Sequence, residues 1–72
     1  MSEPQSIVFS EASGWTPTKA RRWAIKHGFR PIKHVDRSRR GQLRYRLQPP
    51  GQFSRFVTKK LKSGISLVIG FP

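Results

Sequence analysis

The clearest periodic pattern in the chain predicts one α-helix over residues 16–27. Thr16 can cap its first turn, and Pro17 suits the first helical position, where a missing N–H leaves no hydrogen bond unmade. Gly28 can end the helix in a left-handed conformation. Spacings of three and four residues separate an apolar face from a basic face, formed by Ala20, Trp23, Ala24 and His27 and by Lys19, Arg22 and Lys26. We expect the apolar face to pack, with Trp15 and Trp23 in the core.

Alternating patterns predict strands on both sides of this helix. Residues 6–10 form a short apolar run bounded by serines, and residues 32–37 and 42–48 are joined by a polar stretch that ends in Gly41. This arrangement is typical of a β-hairpin. In the second hairpin strand, apolar and basic residues alternate, with Leu43, Tyr45 and Leu47 on one side and Arg44 and Arg46 on the other. The apolar side must face the core, so we expect the arginines on an open, basic sheet face.

The last third of the chain fits two interpretations. Apolar residues at positions 53, 56, 57 and 61 suit one face of a helix over residues 52–62, whereas residues 56–58 also suit a strand that turns at 62–64. We prefer the helix. Residues 65–71 are β-rich and largely apolar on both sides, which indicates a central strand or one completed by another subunit.

These elements predict a single α+β domain over residues 6–72, preceded by a flexible tail over residues 1–5. With a helix at 52–62 the order is β-α-β-β-α-β, which favours a ferredoxin-like split βαβ sheet with helices on one face. With a strand there, we expect a smaller α+β fold with a C-terminal hairpin. A chain of 72 residues has room for one domain, and a domain of that size has marginal stability.

The composition adds an extreme charge. Fifteen Lys and Arg residues stand against three Asp and Glu residues, so the formal net charge is +12 at pH 7. Repulsion on this scale destabilises a compact fold, whereas a bound polyanion relieves the repulsion and releases counterions. Nine of the cations are Arg, whose forked guanidinium suits phosphate and guanine edges. The expected partner is therefore a nucleic acid, either DNA or RNA.

The same composition argues against an enzyme. Three scattered acids do not supply paired carboxylates, no Cys can act as a nucleophile, and two His are too few for a metal site. We expect no cofactor and no small-molecule substrate. The apolar run at 65–72 is far shorter than the roughly 20 residues that span a membrane. No secretory signal pattern opens the sequence, so we expect a complete chain that is neither secreted nor membrane-bound.

Three basic clusters are candidate nucleic-acid contacts. The hairpin carries five guanidiniums within ten positions, and these repel one another unless an anion joins them. The candidates are Arg37, Arg39, Arg40, Arg44 and Arg46 in the hairpin, Lys19, Arg22 and Lys26 on the helix, and Arg55, Lys59 and Lys60 in the 52–62 segment. Tyr45 falls on the core side of its strand, which disfavours base stacking on its ring.

Several landmarks are spread over about residues 7–70 of the chain. They comprise Trp15-Thr16, Trp23, His27-Gly28-Phe29, Val35-Asp36, Arg44-Tyr45-Arg46, Pro50, Phe53, Gly64-Ile65 and Val68-Ile69-Gly70. In these landmarks the chain resembles small proteins and segments found among the head and packaging genes of tailed bacteriophages and prophages. The resemblance implies a viral setting, in the host cytoplasm or in the virion. Acidic or neutral residues tend to follow the Val-Asp pair in those proteins, whereas Arg37, Arg39 and Arg40 follow it here.

Two functions follow as hypotheses. The first is a sequence-tolerant module that contacts phosphates through the hairpin arginines and helix lysines, in virion assembly, genome packaging or interference with a host nucleoprotein. The second is a virion structural or protein-interaction role, in which the terminal strand pairs with another subunit and the charge meets an acidic protein surface. The candidate residues for that role are Ile65, Leu67, Val68, Ile69 and Phe71.

Overall fold

The computed structural model describes residues 2–32, 34–62 and 64–72. Met1 in the predicted tail, Lys33 in the predicted first hairpin strand and Ser63 in the predicted turn at 62–64 lie outside the described residues. The elements are β1 (Glu3–Ser10), α1 (Pro17–Lys26), β2 (Asp36–Arg37), β3 (Gln42–Arg46), β4 (Arg55–Lys60) and β5 (Ile65–Phe71). Short 3₁₀ turns at Glu11–Ser13 and Pro50–Gln52 lie between them.

The strands form one antiparallel sheet in the order β2-β3-β1-β5-β4. The predicted α+β class is confirmed. The helix preferred at 52–62 is wrong, because β4 occupies that segment and forms a C-terminal hairpin with β5. The preferred ferredoxin-like order is not confirmed, since the strand order differs and a strand replaces the second helix.

Strand preference and a glycine turn explain β4. Phe56, Val57 and Thr58 are aromatic or β-branched residues, which favour a pleated conformation. Gly64 adopts a φ of 74° at the end of the turn, a conformation that side chains disfavour. A Cβ on Gly64 would also lie 2.6 Å from the Ser13 Cβ. The chain can therefore return tightly, and pairing with β5 overrides the helical spacing of the apolar residues.

The predicted helix is confirmed as α1. The Lys19 N–H donates to Thr16 Oγ1 at 3.3 Å, and Gly28 follows the helix with a φ of 84°. The small side chains of Ala20 and Ala24 are fully buried against the sheet, and Trp23 is half-buried beside them. The sheet side of the core consists of Ile7, Phe9, Leu43, Tyr45 and Ile65. Trp15 also packs against this core, as predicted.

The predicted hairpin is confirmed, with a shorter first strand than residues 32–37. β2 contains only Asp36–Arg37, and the Ser38 N–H donates to the Gln42 carbonyl at 2.9 Å across the turn. The predicted tail is too long, because β1 begins at Glu3 and residues 3–5 belong to the sheet. The Gln5 side chain donates to the Gln48 carbonyl at 2.8 Å, which fixes this end of β1 to the chain after β3.

The terminal apolar segment forms β5, which lies between β1 and β4. The prediction of a central strand is confirmed. The alternative of a strand completed by another subunit is wrong, since both edges of β5 pair within the chain. No helix in the described part of the chain is long and apolar enough to cross a membrane.

Candidate nucleic-acid interface

The strand register divides the sheet into two faces. Residues directly opposite one another in an antiparallel pair share a face, and neighbours along a strand alternate between faces. Ile7 and Phe9 contact α1 in the core, so Ser6 and Val8 point away from the helix. We call this second side of the sheet the open face.

Within the described strands, three cations lie on the open face. Arg44 lies opposite Val8, Arg46 lies opposite Ser6, and Lys60 lies opposite Ser66. One row crosses four strands through Arg44, Val8, Ser66 and Lys60, and the next row crosses the same strands through Arg46, Ser6, Val68 and Thr58. The predicted alternation in β3 is thereby confirmed, because Leu43 and Tyr45 are buried on the other side.

The middle of the open face is lined by small side chains. Val8 and Val68 are only 8% exposed and Ser6 is 0% exposed, although α1 covers the other face. Longer neighbours therefore rise on both sides of a trough, whose floor is Val8, Ser66 and Val68, while the fully buried Ser6 lies covered beneath it. Its two rims are Arg44 with Arg46 on β3 and Thr58 with Lys60 on β4.

Two hollows mark the trough. One of about 290 Å³ is bounded by Arg44, Arg46, Phe56 and Thr58, with Val68 at its base. The other, of about 250 Å³, lies nearer the β4–β5 turn and is lined by the cations Lys60 and Lys62 together with Ser10, Ser13, Gln42 and Ser66. Both combine positive charge with hydroxyl or amide groups, which are the groups that contact phosphate and sugar oxygens.

An aromatic pair closes one end of the trough. Phe56 lies opposite Gly70, and its ring meets the Phe53 ring in a T-shaped arrangement with centroids 5.9 Å apart. Phe53 covers Gly70 so closely that a Cβ there would lie 2.6 Å from its ring atoms Cδ1 and Cδ2. Phe56 remains 43% exposed. The open face therefore offers an aromatic surface beside its cations.

Two of the three acids pair with hairpin arginines. Asp36 lies opposite Arg44 on the open face, and its Oδ2 is 3.6 Å from Arg46 Nε. Glu11 Oε2 accepts a hydrogen bond from Arg37 Nη2 at 2.8 Å on the helix side. The Asp36 carboxylate thus partly neutralises the β3 rim.

The other predicted contacts do not lie on the open face. Arg37, Arg55 and Lys59 lie opposite Leu43, Phe71 and Leu67, which places them on the helix side of the sheet. The Arg55 guanidinium lies over the Phe71 ring, 4.6 Å from its centroid. Lys19, Arg22 and Lys26 are exposed on α1, and Arg39 and Arg40 are exposed in the hairpin turn. The structure thus separates the predicted clusters onto several surfaces.

Sequence reasoning missed the β4 part of the trough. The preferred helix at 52–62 hides this face, whereas in the alternative strand Phe56, Thr58 and Lys60 follow the two-residue period of one side. Gln42 and Ser66 also escaped notice because polar uncharged residues carry no distinct pattern. A strand over residues 55–60 would have placed Lys60 on the same sheet face as Arg44 and Arg46.

Two polar side chains outside the trough make contacts within the fold, those of Tyr45 and His27. Tyr45 Oη donates to the Pro17 carbonyl at 2.7 Å, and burial raises its pKa while the nearby Arg21 charge lowers it. His27 stacks on Trp23 with centroids 3.8 Å apart, at the end of α1. Among residues 2–32, 34–62 and 64–72, no three His, Cys, Asp or Glu side chains group as metal ligands would.

The residues predicted for protein contact are mostly occupied by the fold. Ile65 and Val68 are buried, and Leu67, Ile69 and Phe71 are half-buried. The exposed strand next to them is β4, at the edge of the sheet, where all six residues are exposed.

Comparisons of the chain with protein-family models, curated proteins and solved structures found no match.

Proposed function

We propose that this protein binds nucleic acid without catalysing a reaction, by holding phosphates along the trough on its open face. The observation that carries the proposal is that Arg44, Arg46 and Lys60 project from one sheet face on opposite sides of a floor of small side chains. Such a surface admits a polyanionic chain while the apolar core stays on the other side.

The charge balance supports the same proposal. A net charge of +12 on 72 residues repels itself, and a bound polyanion relieves that repulsion. Each phosphate neutralised also releases condensed counterions, which supplies most of the affinity of sequence-tolerant binding. The resemblance to proteins encoded near phage head and packaging genes adds a viral setting, in the host cytoplasm or the virion.

A matched pair of triple variants tests the proposed surface. R44Q/R46Q/K60Q removes three cations from the open face, and R22Q/R55Q/K59Q removes the same charge from α1 and the helix side of β4. Binding to duplex and single-stranded DNA is measured by fluorescence anisotropy over a range of salt concentrations. The open-face variant should lose about 2 to 3 from the log–log salt slope, at about 0.7 to 0.9 per phosphate contact.

The control variant should keep a slope close to that of the wild type. Affinity that does not depend on salt would refute nucleic-acid binding of this type. Equal losses in both variants would refute the open face as the binding surface, since net charge alone would then explain the binding.

A second candidate function is protein binding at the free edge of β4. All six β4 residues are exposed at the sheet edge, and Arg55, Lys59 and Lys60 would repel a second copy of the same strand. An acidic extended segment of another protein is the complementary partner. A synthetic acidic peptide should then slow amide hydrogen exchange in β4, and unchanged exchange would refute the idea. Truncation after Gly64 is not a useful test, because it removes a central strand.

A further inference from the structure

We propose that the trough selects single-stranded nucleic acid, with an unpaired base stacked on Phe56; this rests on the proposed function. Phe56 is the exposed member of the aromatic pair at the end of the trough. An unpaired base can lay its π-face on such a ring, whereas a base inside a duplex is already stacked on its neighbours.

The width of the trough suits a single strand of nucleic acid. Neighbouring strands lie about 4.8 Å apart, so the Cα atoms of Arg44 and Lys60, separated by two intervening strands in one row, are about 14 Å apart. Long cationic side chains narrow this span further. A single sugar-phosphate chain can lie between the rims with cations on both sides, whereas a duplex presents only its outer phosphates to them.

Phe56 is positioned by its neighbours. Gly70 opposite it has no side chain, so Phe53 lies against the strand there and meets the Phe56 ring edge to face. Phe56 also lines the 290 Å³ hollow, together with Arg44 and Arg46. A base on Phe56 therefore has its own phosphate within the reach of the β3 rim.

The adjacent residue Val57 gives a matched control. Its exposure of 44% equals that of Phe56 within one percentage point, but it lies opposite Ile69 on the helix side of the sheet. A substitution at Val57 changes the same strand at a position of similar fractional exposure, without touching the trough.

The test compares three DNA probes of equal length, about twelve nucleotides each: oligo(dT), an abasic strand and a duplex. The wild type should bind oligo(dT) about tenfold more tightly than the abasic strand or the duplex. F56L keeps apolar bulk but has no ring, and should bind oligo(dT) and the abasic strand equally. F56Y and V57L should behave as the wild type does.

The outcomes distinguish the two proposals. If no probe binds with a salt-dependent affinity, the proposed function fails. If all three probes bind equally and F56L changes nothing, nucleic-acid binding stands and the preference for single strands is refuted. If F56L loses the circular dichroism spectrum of the folded protein, the wild type still decides, because equal binding of the oligo(dT) and abasic probes would contradict base stacking.

Discussion

Replacing Asp36 by Asn should strengthen nucleic-acid binding. Asp36 is the acidic residue of the β2–β3 hairpin and lies on the open face, opposite Arg44. Its Oδ2 is 3.6 Å from Arg46 Nε. If phosphates bind the trough as proposed, the Asp36 carboxylate competes with them for Arg46 and repels them near Arg44. D36N keeps the shape of the side chain and removes the charge. An exposed ion pair contributes only about 0 to 1 kcal/mol, so the protein should remain folded.

Two independent estimates give the same gain in nucleic-acid affinity for D36N. Freeing Arg46 to hold one more phosphate should steepen the salt slope by about 0.7 to 0.9. Between 1 M and 0.1 M salt, the affinity of D36N should therefore rise about five- to eightfold more than that of the wild type. Removing a repulsion of about 1 kcal/mol, the value for charges about 4 Å apart in water, gives about fivefold. We therefore expect D36N to bind about fivefold more tightly at 0.1 M salt.

The control is E11Q, which makes the same change in net charge on the helix side of the sheet. Glu11 pairs with Arg37 at 2.8 Å, and Arg37 does not face the trough. Anisotropy titrations of wild type, D36N and E11Q at several salt concentrations give both affinity and slope. Equal gains in the two variants would mean that net charge alone controls binding. No gain in D36N would refute phosphate contact at the β3 rim.

Three further predictions concern stability. Burial raises the pKa of Tyr45 above its ordinary value of 10.0, so its contribution to stability is complete below about pH 10 and is lost as pH rises through the higher folded pKa. The free energy of unfolding in urea, measured over a range of pH, should show that loss in the wild type and not in Y45F. The same pH dependence in both proteins would contradict this prediction. The Oγ of Ser6 is buried and has no hydrogen-bond partner among the described residues. S6A should therefore raise the free energy of unfolding by up to about 1 kcal/mol. A clearly lower melting temperature of S6A would contradict this. G70A should lower the free energy of unfolding by about 1 to 3 kcal/mol, because the added Cβ displaces the Phe53 ring. The loss should be far smaller in an F53A background, and an equal loss in both backgrounds would show that the two residues do not interact.

Local chemistry made part of the fold predictable. The cap at Thr16, the position of Pro17 and the glycine after the helix act within one or two turns, so their pattern located α1. The alternation of Leu43, Arg44 and Tyr45 located β3 and its two faces in the same way, because a strand repeats every two residues. Neither prediction required knowledge of the distant chain.

The segment 52–62 was not predictable by these means. Its apolar residues satisfy a helical spacing, and its strand state depends on hydrogen bonds to β5, which follows it in sequence, and on the turn at Gly64. That single misassignment also hid the candidate site. Without β4 beside β5, Lys60 and Phe56 could not be placed on the same sheet face as Arg44, and charge alone could only group cations that are close in sequence.

The two-residue period of the strands separates the core residues from the residues of the proposed binding surface. Ile7, Leu43 and Ile65 bury one side of β1, β3 and β5 against α1, while Val8, Arg44 and Ser66 occupy the other side of the same strands. In the proposed function, one sheet therefore serves both purposes. Cations on the open face add repulsion but remove nothing from the core. Changes to them can therefore be interpreted as changes in binding, provided that the free energy of unfolding is measured beside the affinity.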